Sequence, residues 1–490
     1  MEDIDGREFE ICKKDGEVIL VSYDGEREKI FVPYGITVID DCAFKAKEND
    51  PYAEEDEFYE NRGSENLGEV ILPDTVKRIG REPFFGCEYL NRVYIPASVT
   101  DIGESVFSGC APEYIDLDED NPVYKAVDGC FIDVKNKTLM CGLAGCKIPA
   151  DGSVKTIGKR AFNMRKIKSI EIPQGVVKIG NYAFTGCAEL SEVKLPLTLR
   201  EIGDCAFSQC AALKSIALPK GLKRIGVSAF AFSGLVDIEL PAGLEYLGSN
   251  AFCNSALTKI SLAPIKECGS GILGKCQRLE RVEFLSGWKE IPVCTCTESR
   301  VREVVLPDGL EKIGTHAFSF CYSLKNIDFP RTLKIIEEQA FKSCGLVELT
   351  FPDSVKNVGW CAFSFCDGLT ELTVPPLVLE KNSDVFYRCE KLQRVIIGEG
   401  TKRIAKNSFS CCYKLSSVTF PDSLEKIEYY AFGECKALKE VELSEKTEIA
   451  DKAFYGCGVP QINELDLMDM PVEEYKKLIS IKQGIIIKRR

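Results

Sequence analysis

The sequence of 490 residues contains one histidine, two tryptophans and five methionines. With His316 as the sole imidazole, a histidine-rich metal site is excluded, and histidine-dependent catalysis would rest on this one residue. No stretch approaches the ~20 consecutive apolar residues of a membrane-spanning helix, so membrane insertion is not expected. The acidic start, MEDIDGREFE, lacks the basic and apolar segments of a secretory signal. We therefore expect a cytoplasmic protein, or a surface or secreted protein if a signal has been removed.

Positive charge is also in deficit, with 62 Lys and Arg against 75 Asp and Glu and a net charge of −13. Such a surface repels polyphosphates, so nucleic acid is not an expected partner. The sequence has neither a GxxxxGK[ST] phosphate loop nor a GxSxG nucleophile elbow. His316 lies in a turn that is expected to face solvent. We assign no catalytic residue and expect no enzyme activity, no cofactor and no small-molecule substrate.

What the sequence has in abundance is one short repeat. The dipeptide Ala-Phe recurs at steps of 21 to 23 residues, with phenylalanine at positions 162, 184, 207, 230 and 252 and again at 318, 341, 363, 432 and 454. Within the unit of residues 190–210, Val193 and Leu195 alternate with charged residues, which indicates a half-buried strand. Pro196 ends this strand because proline has no amide hydrogen for a ladder. One unit cannot bury its apolar face alone, so the units are predicted to stack around a continuous core.

The iterated pattern L-x-x-[IV]-x-[LF]-P-x-x-[LV]-x-x-[IV]-x-x-x-A-F-x-x-C resembles the BspA-type leucine-rich repeats, also called the Treponema pallidum class. The resemblance extends over roughly residues 20 to 460. It implies a right-handed, β-rich leucine-rich-repeat solenoid with a parallel sheet on one face. Between Phe44 and Phe454 we predict about seventeen turns of 21–23 residues. The resemblance also implies protein–protein interaction and cell-surface adhesion.

The two ends of the chain depart from the repeat. Alternating apolar residues around Asp15-Gly16 predict a β-hairpin, so residues 1–40 are assigned to an N-terminal hairpin cap and the first turn. Residues 41–460 are assigned to the repeats. Residues 461–490 are assigned to a C-terminal cap with a short helix, and its last residues, from Lys488 onward, are expected to fray.

Three places inside the repeats break the spacing. An acidic segment near residues 45–66 predicts a solvated surface loop. Alternating residues near 115–148 predict an inserted β-hairpin. The turn around Ile291 and Cys296 lacks Ala-Phe and is expected to be irregular.

Cysteine is common, with 24 residues, and many fall three residues after the phenylalanine position. Twelve share this position: Cys87, Cys110, Cys187, Cys210, Cys276, Cys321, Cys344, Cys366, Cys389, Cys412, Cys435 and Cys457. Ser233 and Ser255 take the same place in other turns, which predicts a ladder of small, buried, reduced thiols. Two local clusters lack the second ligand pair of a zinc site, so no metal site is predicted: Cys294-Thr-Cys296 and Cys411-Cys412.

The exposed positions of the predicted strands carry mostly charged residues, except in the C-terminal half. There, a less charged stripe is rimmed by charges, and together they form a candidate partner-binding face: Val305, Thr350, Thr373, Ile396 and Thr419, with Glu348, Glu371 and Arg394. An ordinary hydrated sheet surface is the alternative interpretation.

We predict a non-enzymatic scaffold for protein–protein interaction that uses an elongated repeat surface, with a protein partner of unknown identity. The first alternative is a cell-surface adhesin that binds host or bacterial glycoproteins, as the family resemblance implies. The second is a thiol-dependent enzyme built on the turn near Cys294 and Cys296.

Overall fold

The computed structural model describes four stretches of the chain: residues 8–45, 66–110, 112–458 and 485–489. The chain falls into two compact units, Met1–Ala251 and Phe252–Arg490, here called the N-terminal and C-terminal units. They contain about eighteen turns of a β-solenoid with parallel sheets and almost no helix, which confirms the predicted fold class. Most of the predicted acidic loop and the predicted C-terminal helix lie outside the described residues.

The strands of the N-terminal unit are short because each turn of the repeat must reverse direction after a few residues. They are β1 (Phe9–Lys14), β2 (Glu17–Tyr23), β3 (Lys29–Phe31), β4 (Val38–Ile39), β5 (Glu69–Ile71), β6 (Arg78–Ile79), β7 (Arg92–Ile95), β8 (Asp101–Ile102), β9 (Tyr114–Leu117), β10 (Tyr124–Val127), β11 (Cys130–Asp133), β12 (Thr138–Gly142), β13 (Thr156–Ile157), β14 (Ser169–Glu171), β15 (Lys178–Ile179), β16 (Glu192–Lys194), β17 (Glu201–Ile202), β18 (Arg224–Ile225) and β19 (Tyr246–Leu247).

Many turns contribute two strands rather than the single strand that the sequence predicts. The longer strands form one parallel line, in which β14 pairs with β16. The two-residue strands form a second line, in which Ile179, Ile202 and Ile225 are register partners on β15, β17 and β18. A strand of two residues is too short to show alternation, so the sequence gives no sign of this second line.

Antiparallel pairs occur at two places in the N-terminal unit. Strands β1 and β2 form a hairpin at the start of the described chain. Strands β10, β11 and β12 form a three-stranded antiparallel insert, and β12 then pairs in parallel with β13, where Leu139 is opposite Ile157. The insert is therefore part of the solenoid, because its last strand pairs with the strand of the next turn.

The described part of the C-terminal unit likewise has longer strands and two-residue strands, with one short helical turn between β28 and β29. Its elements are β20 (Lys259–Leu262), β21 (Glu267–Cys268), β22 (Arg281–Phe284), β23 (Glu290–Ile291), β24 (Glu303–Val305), β25 (Lys312–Ile313), β26 (Ile335–Ile336), β27 (Asn357–Val358), β28 (Glu371–Val374), the 3-10 helix Pro376–Val378, β29 (Arg394–Ile397), β30 (Arg403–Ile404), β31 (Ser417–Thr419), β32 (Lys426–Ile427), β33 (Glu440–Leu443), β34 (Glu448–Ile449) and β35 (Ile486–Arg489).

Two expectations for this unit are wrong. The turn around Cys296 is regular: the Cys296 amide donates to the Ala317 carbonyl at 2.7 Å, as the Phe318 amide donates to Ala340 at 2.8 Å. Cysteine simply occupies the phenylalanine position there. Lys488 and Arg489 do not fray, because β35 pairs in parallel with β33 and the Lys488 ammonium lies 2.8 Å from the Glu440 carboxylate, whereas Arg490 lies outside the described residues.

The core of each unit is a stack of phenylalanine rings. Ring centroids are 4.9 Å apart between Phe162 and Phe184, and 5.3 Å apart between Phe341 and Phe363. These distances approach the ~4.8 Å that separates neighbouring strands in a sheet, because each turn carries one ring. The repeated Ala-Phe position therefore supplies the innermost layer of the core.

The twelve repeat-position cysteines are all buried, as predicted. Eleven of these thiols, all but Cys110, donate a hydrogen bond to the backbone carbonyl at the phenylalanine position of the preceding turn, for example Cys187 to Phe162 at 3.0 Å. Ser299 takes this position after the Cys296 turn, and its hydroxyl donates to the Leu273 carbonyl at 2.6 Å. A small side chain with a donor at its tip therefore fits the position.

Candidate protein-interaction surface

Three neighbouring strands of the C-terminal unit present the centre of the candidate surface. In β28, Leu372 and Val374 are buried, whereas Glu371 and Thr373 are exposed. Strand β29 pairs in parallel with β28 on one side and with β31 on the other. Since side chains alternate across a strand, the exposed residues of the three strands share one face.

The register places five of the predicted residues, in two rows, on this face. Thr373 is opposite Ile396, and Ile396 is opposite Thr419. In the adjacent row, Glu371 is opposite Arg394. Ile396 is half-buried and the other four are exposed, so an aliphatic centre lies among polar side chains. We name these five residues the β28–β31 patch.

The charges of this patch are not neutralised by ion pairs within the described part of the chain. Glu371 and Arg394 are register partners, yet neither takes part in an ion pair there. The corresponding arginine of β22 behaves differently, because Arg281 forms ion pairs with Glu283 and Glu303. The patch therefore differs from the equivalent sheet surface of β20, β22 and β24.

The remaining predicted residues are not part of the three paired strands. Thr350 and Glu348 are exposed and belong to the preceding repeat, in a segment that forms no strand. Val305 is half-buried in β24, which belongs to a different sheet. The exposed Asp328 lies in the repeat between Val305 and Thr350, so the less charged stripe is interrupted.

The residues of the thiol-enzyme alternative lie in neighbouring turns, where the Cys294 amide donates to the carbonyl of Thr315, the residue before His316, at 2.9 Å. His316 is half-buried rather than fully exposed, and burial lowers its pKa, although Glu338 acts in the opposite direction. Cys296 is fully buried, and desolvation raises the pKa of its thiol well above the ordinary value. Cys294 is half-buried at the surface of the same turn.

Within the described ranges, the fold offers no cluster of three or more His, Cys, Asp or Glu side chains that is suited to a metal ion. Nor does that part of the chain contain a helix with the length and apolarity needed to cross a membrane.

The structure contains surface clefts that the sequence did not predict. One in the C-terminal unit has a volume of about 650 Å³ and is lined by residues that include Glu298, Phe320 and Tyr322. One in the N-terminal unit has a volume of about 350 Å³ and is lined by β9, the β10–β11 turn and Leu143. These clefts bring together residues from several turns, so no local sequence pattern identifies them.

The fold and the repeat define a leucine-rich repeat protein, and comparison with known families specifies which kind. A sequence profile described as "BspA type Leucine rich repeat region (6 copies)" matches residues 54–140, 155–280, 289–414 and 362–469. These ranges cover more than half of the chain, which therefore belongs to the BspA-type leucine-rich repeat family. Members of this family are typically protein-interaction or surface proteins. No functionally curated protein matches the sequence.

Several solved structures are similar to this chain. A leucine-rich repeat protein from Bacteroides ovatus is 25% identical, with a TM-score of 0.48, over 100% of both chains. A leucine-rich cell surface protein from Faecalibacterium prausnitzii is 19% identical, with a TM-score of 0.36, over 84% of this chain and 93% of its own. The T. pallidum leucine-rich repeat protein is 22% identical, with a TM-score of 0.28, over 47% of this chain and 80% of its own.

Proposed function

We propose that this protein is a non-enzymatic interaction scaffold that binds a protein partner through the β28–β31 patch. The observation that carries this proposal is the combination of an aliphatic centre at Ile396 with the adjacent Glu371 and Arg394, neither of which has an ion-pair partner among the residues that the structure describes. Charged residues on other longer strands pair with one another across turns, as the register partners Lys29 and Glu69 do at 2.8 Å.

The chemistry of the patch indicates what the partner presents. Ile396 offers apolar area at the centre of the contact, and Thr373 and Thr419 offer hydroxyl groups on either side. A carboxylate of the partner near Arg394 would form a charge-assisted hydrogen bond without displacing an existing pair. Polar residues around an apolar centre are typical of protein interfaces.

A pair of double variants tests the proposal. Arg394→Glu with Ile396→Asp changes the patch by three units of charge and removes its aliphatic centre. Lys259→Glu with Ser261→Asp makes the same change in charge at the equivalent positions of β20. We expect the first variant to lose the partner in affinity capture with quantitative mass spectrometry, and the second to retain it. Equal recovery of the same partner by both variants would contradict the proposal.

The identity of the captured partner also separates the scaffold from its alternative. An adhesin would recover a host or bacterial glycoprotein from intact cell surfaces, with the same dependence on Arg394 and Ile396.

A further inference from the structure

Arg165 occupies a repeat position that elsewhere holds cysteine or serine. It lies three residues after Phe162, where the next turn has Cys187. Its side chain is directed into the core of the N-terminal unit, as the ladder thiols are, and Nη2 donates to Sγ of Cys141 on β12 at 3.3 Å. An arginine thus replaces a ladder thiol at the turn that follows the inserted strands.

This guanidinium is buried without a counter-charge. Arg165 is only 5% exposed, and its Nε has no hydrogen-bond partner in the described part of the chain. No carboxylate there forms an ion pair with it, although an unpaired buried charge is costly. The positive charge of Arg165 acts to lower the pKa of four thiols: Cys110, Cys141, Cys146 and Cys187.

Two cysteines of the insert lie close to each other, since a Cβ on Gly129, the residue before Cys130, would lie 3.1 Å from Cβ of Cys146, and the charge of Arg165 acts on Cys146. Cys130 is buried on β11, and its Sγ donates to the carbonyl of Lys147 at 3.4 Å. Cys146 precedes Lys147 in the chain and is half-buried. The Lys147 amide donates to the Asp128 carbonyl at 3.0 Å, which fixes the loop that carries Cys146 against the β10–β11 turn.

The two thiols differ in their affinity for a proton. Interaction with the neighbouring Cys130 side chain lowers the pKa of Cys146 and outweighs its partial burial, and the positive charge of Arg165 acts in the same direction. The same interaction, together with burial, raises the pKa of Cys130. Cys146 is also the more accessible of the two thiols, since Cys130 is buried, so Cys146 is the nucleophile of the pair.

We propose that Cys130 and Cys146 form a reversible dithiol–disulfide pair that reacts with small-molecule disulfides. Cys146 is the attacking, solvent-accessible sulfur, Cys130 is the buried resolving sulfur, and Arg165 is the positioning residue that stabilises the thiolate. The pair borders the cleft lined by β9 and the β10–β11 turn, since Cys130 forms part of its wall. The disulfide would link the loop after β12 to β11 at the edge of that cleft.

The reaction is a thiol–disulfide exchange in two steps. The Cys146 thiolate attacks one sulfur of the small disulfide RSSR, which forms the mixed disulfide Cys146–S–S–R and releases RS⁻. Cys130 then gives its proton to solvent, and its sulfur attacks Sγ of Cys146, which releases the second RS⁻. The protein dithiol loses two electrons, and RSSR gains them as two thiols after protonation.

Oxidised glutathione and a maleimide are the probes for a test with the full-length protein. On the reduced native chain, we expect a short pulse of maleimide to label Cys146 at least about tenfold faster than Cys253. Cys253 is the matched control because it is also half-buried, whereas burial raises the pKa of its thiol. Oxidised glutathione should then yield a Cys130–Cys146 cross-linked peptide pair, identified by mass spectrometry without reductant.

Single variants separate the two roles. Cys130→Ser should accumulate a glutathione adduct on Cys146, and Cys146→Ser should leave Cys130 unmodified. Arg165→Met should slow the labelling of Cys146 severalfold, and Arg165→Lys should restore most of the rate. The proposal is overturned if Cys146 in the wild type is labelled no faster than Cys253, or if its glutathione adduct persists without a link to Cys130. These two outcomes need no variant to fold.

Discussion

The thiol of Cys344 donates a hydrogen bond to the backbone carbonyl of Phe318 in the preceding turn, with 3.1 Å between sulfur and oxygen. The same relationship recurs one turn later, where Cys366 donates to Phe341 at 3.3 Å. Each ladder thiol therefore contacts the backbone beside the phenylalanine stack. The cysteine position supports the stacking of turns, and it has no role in the candidate interaction surface.

Substitution of Cys344 should show which property this position requires. Serine keeps a small donor, as Ser299 does naturally, so we expect Cys344→Ser to lower the free energy of unfolding by no more than about 1 kcal/mol. Valine loses the donor and adds a branch in a filled site, so Cys344→Val should cost about 1–3 kcal/mol. Urea unfolding followed by circular dichroism measures both. The same two substitutions at the half-buried Cys253 should differ by much less.

The phenylalanine stack should account for a large share of the stability of the C-terminal unit. Phe363 is fully buried, with ring centroids 5.3 Å from Phe341 and 5.7 Å from Phe386. Phe363→Ala should therefore lower the free energy of unfolding by about 3–5 kcal/mol through lost burial and the cavity that remains. Tyr322→Ala is the control, because this side chain is 66% exposed and its loss should cost about 0.5 kcal/mol or less.

Much of the fold can be predicted from the sequence, because the spacing of the Ala-Phe dipeptides gives the length of each turn. The alternation of Val193 and Leu195 with charged residues identifies the longer strands, and β16 is found there. The second line of strands has no such signal, since residues such as Ile179 and Ile202 belong to strands of only two residues. The sequence also does not show that the turn around Cys296 is regular. The backbone hydrogen bond from Cys296 to Ala317 depends on the neighbouring turns and not on the side chain.

The candidate surface is predictable only in part. Exposure of Thr373 and Arg394 follows from strand alternation, but the interruption between Val305 and Thr350 depends on which repeats form strands. For the thiol pair, the sequence contains one indication: Arg165 occupies a repeat position that holds cysteine in other turns. The proximity of Cys130 and Cys146 requires the insert to be folded, because it depends on the pairing of β10, β11 and β12.

Close approach of the backbone should make one glycine irreplaceable. A Cβ at Gly203 would lie 2.5 Å from Oδ1 of Asn181 and 2.7 Å from the carbonyl carbon of Gly180. Because the backbone cannot yield locally, Gly203→Ala should lower the free energy of unfolding by about 1–3 kcal/mol. Gly243→Ala should be neutral or slightly stabilising in the same thermal unfolding measurement, since its nearest neighbour is the flexible end of Lys223 at 3.6 Å.

The carboxylate of Glu337 should give the C-terminal unit a stability that depends on pH. Burial opposes its ionisation, but hydrogen bonds from Lys312 and Thr315 prevail and lower its pKa. A pKa that is lower in the folded state contributes stability above the unfolded value, and this contribution is lost as the pH falls through the folded value. The stability difference between wild type and Glu337→Gln should therefore shrink from about pH 6 to about pH 3. Glu399→Gln, at an exposed site, should show no comparable trend.

The proposed role of the β28–β31 patch is tested most directly by site-specific photo-crosslinking to the partner. A photoreactive amino acid is placed at Thr373 and, in a separate protein, at Ser261, the equivalent exposed position of β20. The account predicts that irradiation links the captured partner to position 373, and that position 261 yields no such product. Crosslinking at position 261 with none at 373 would contradict it.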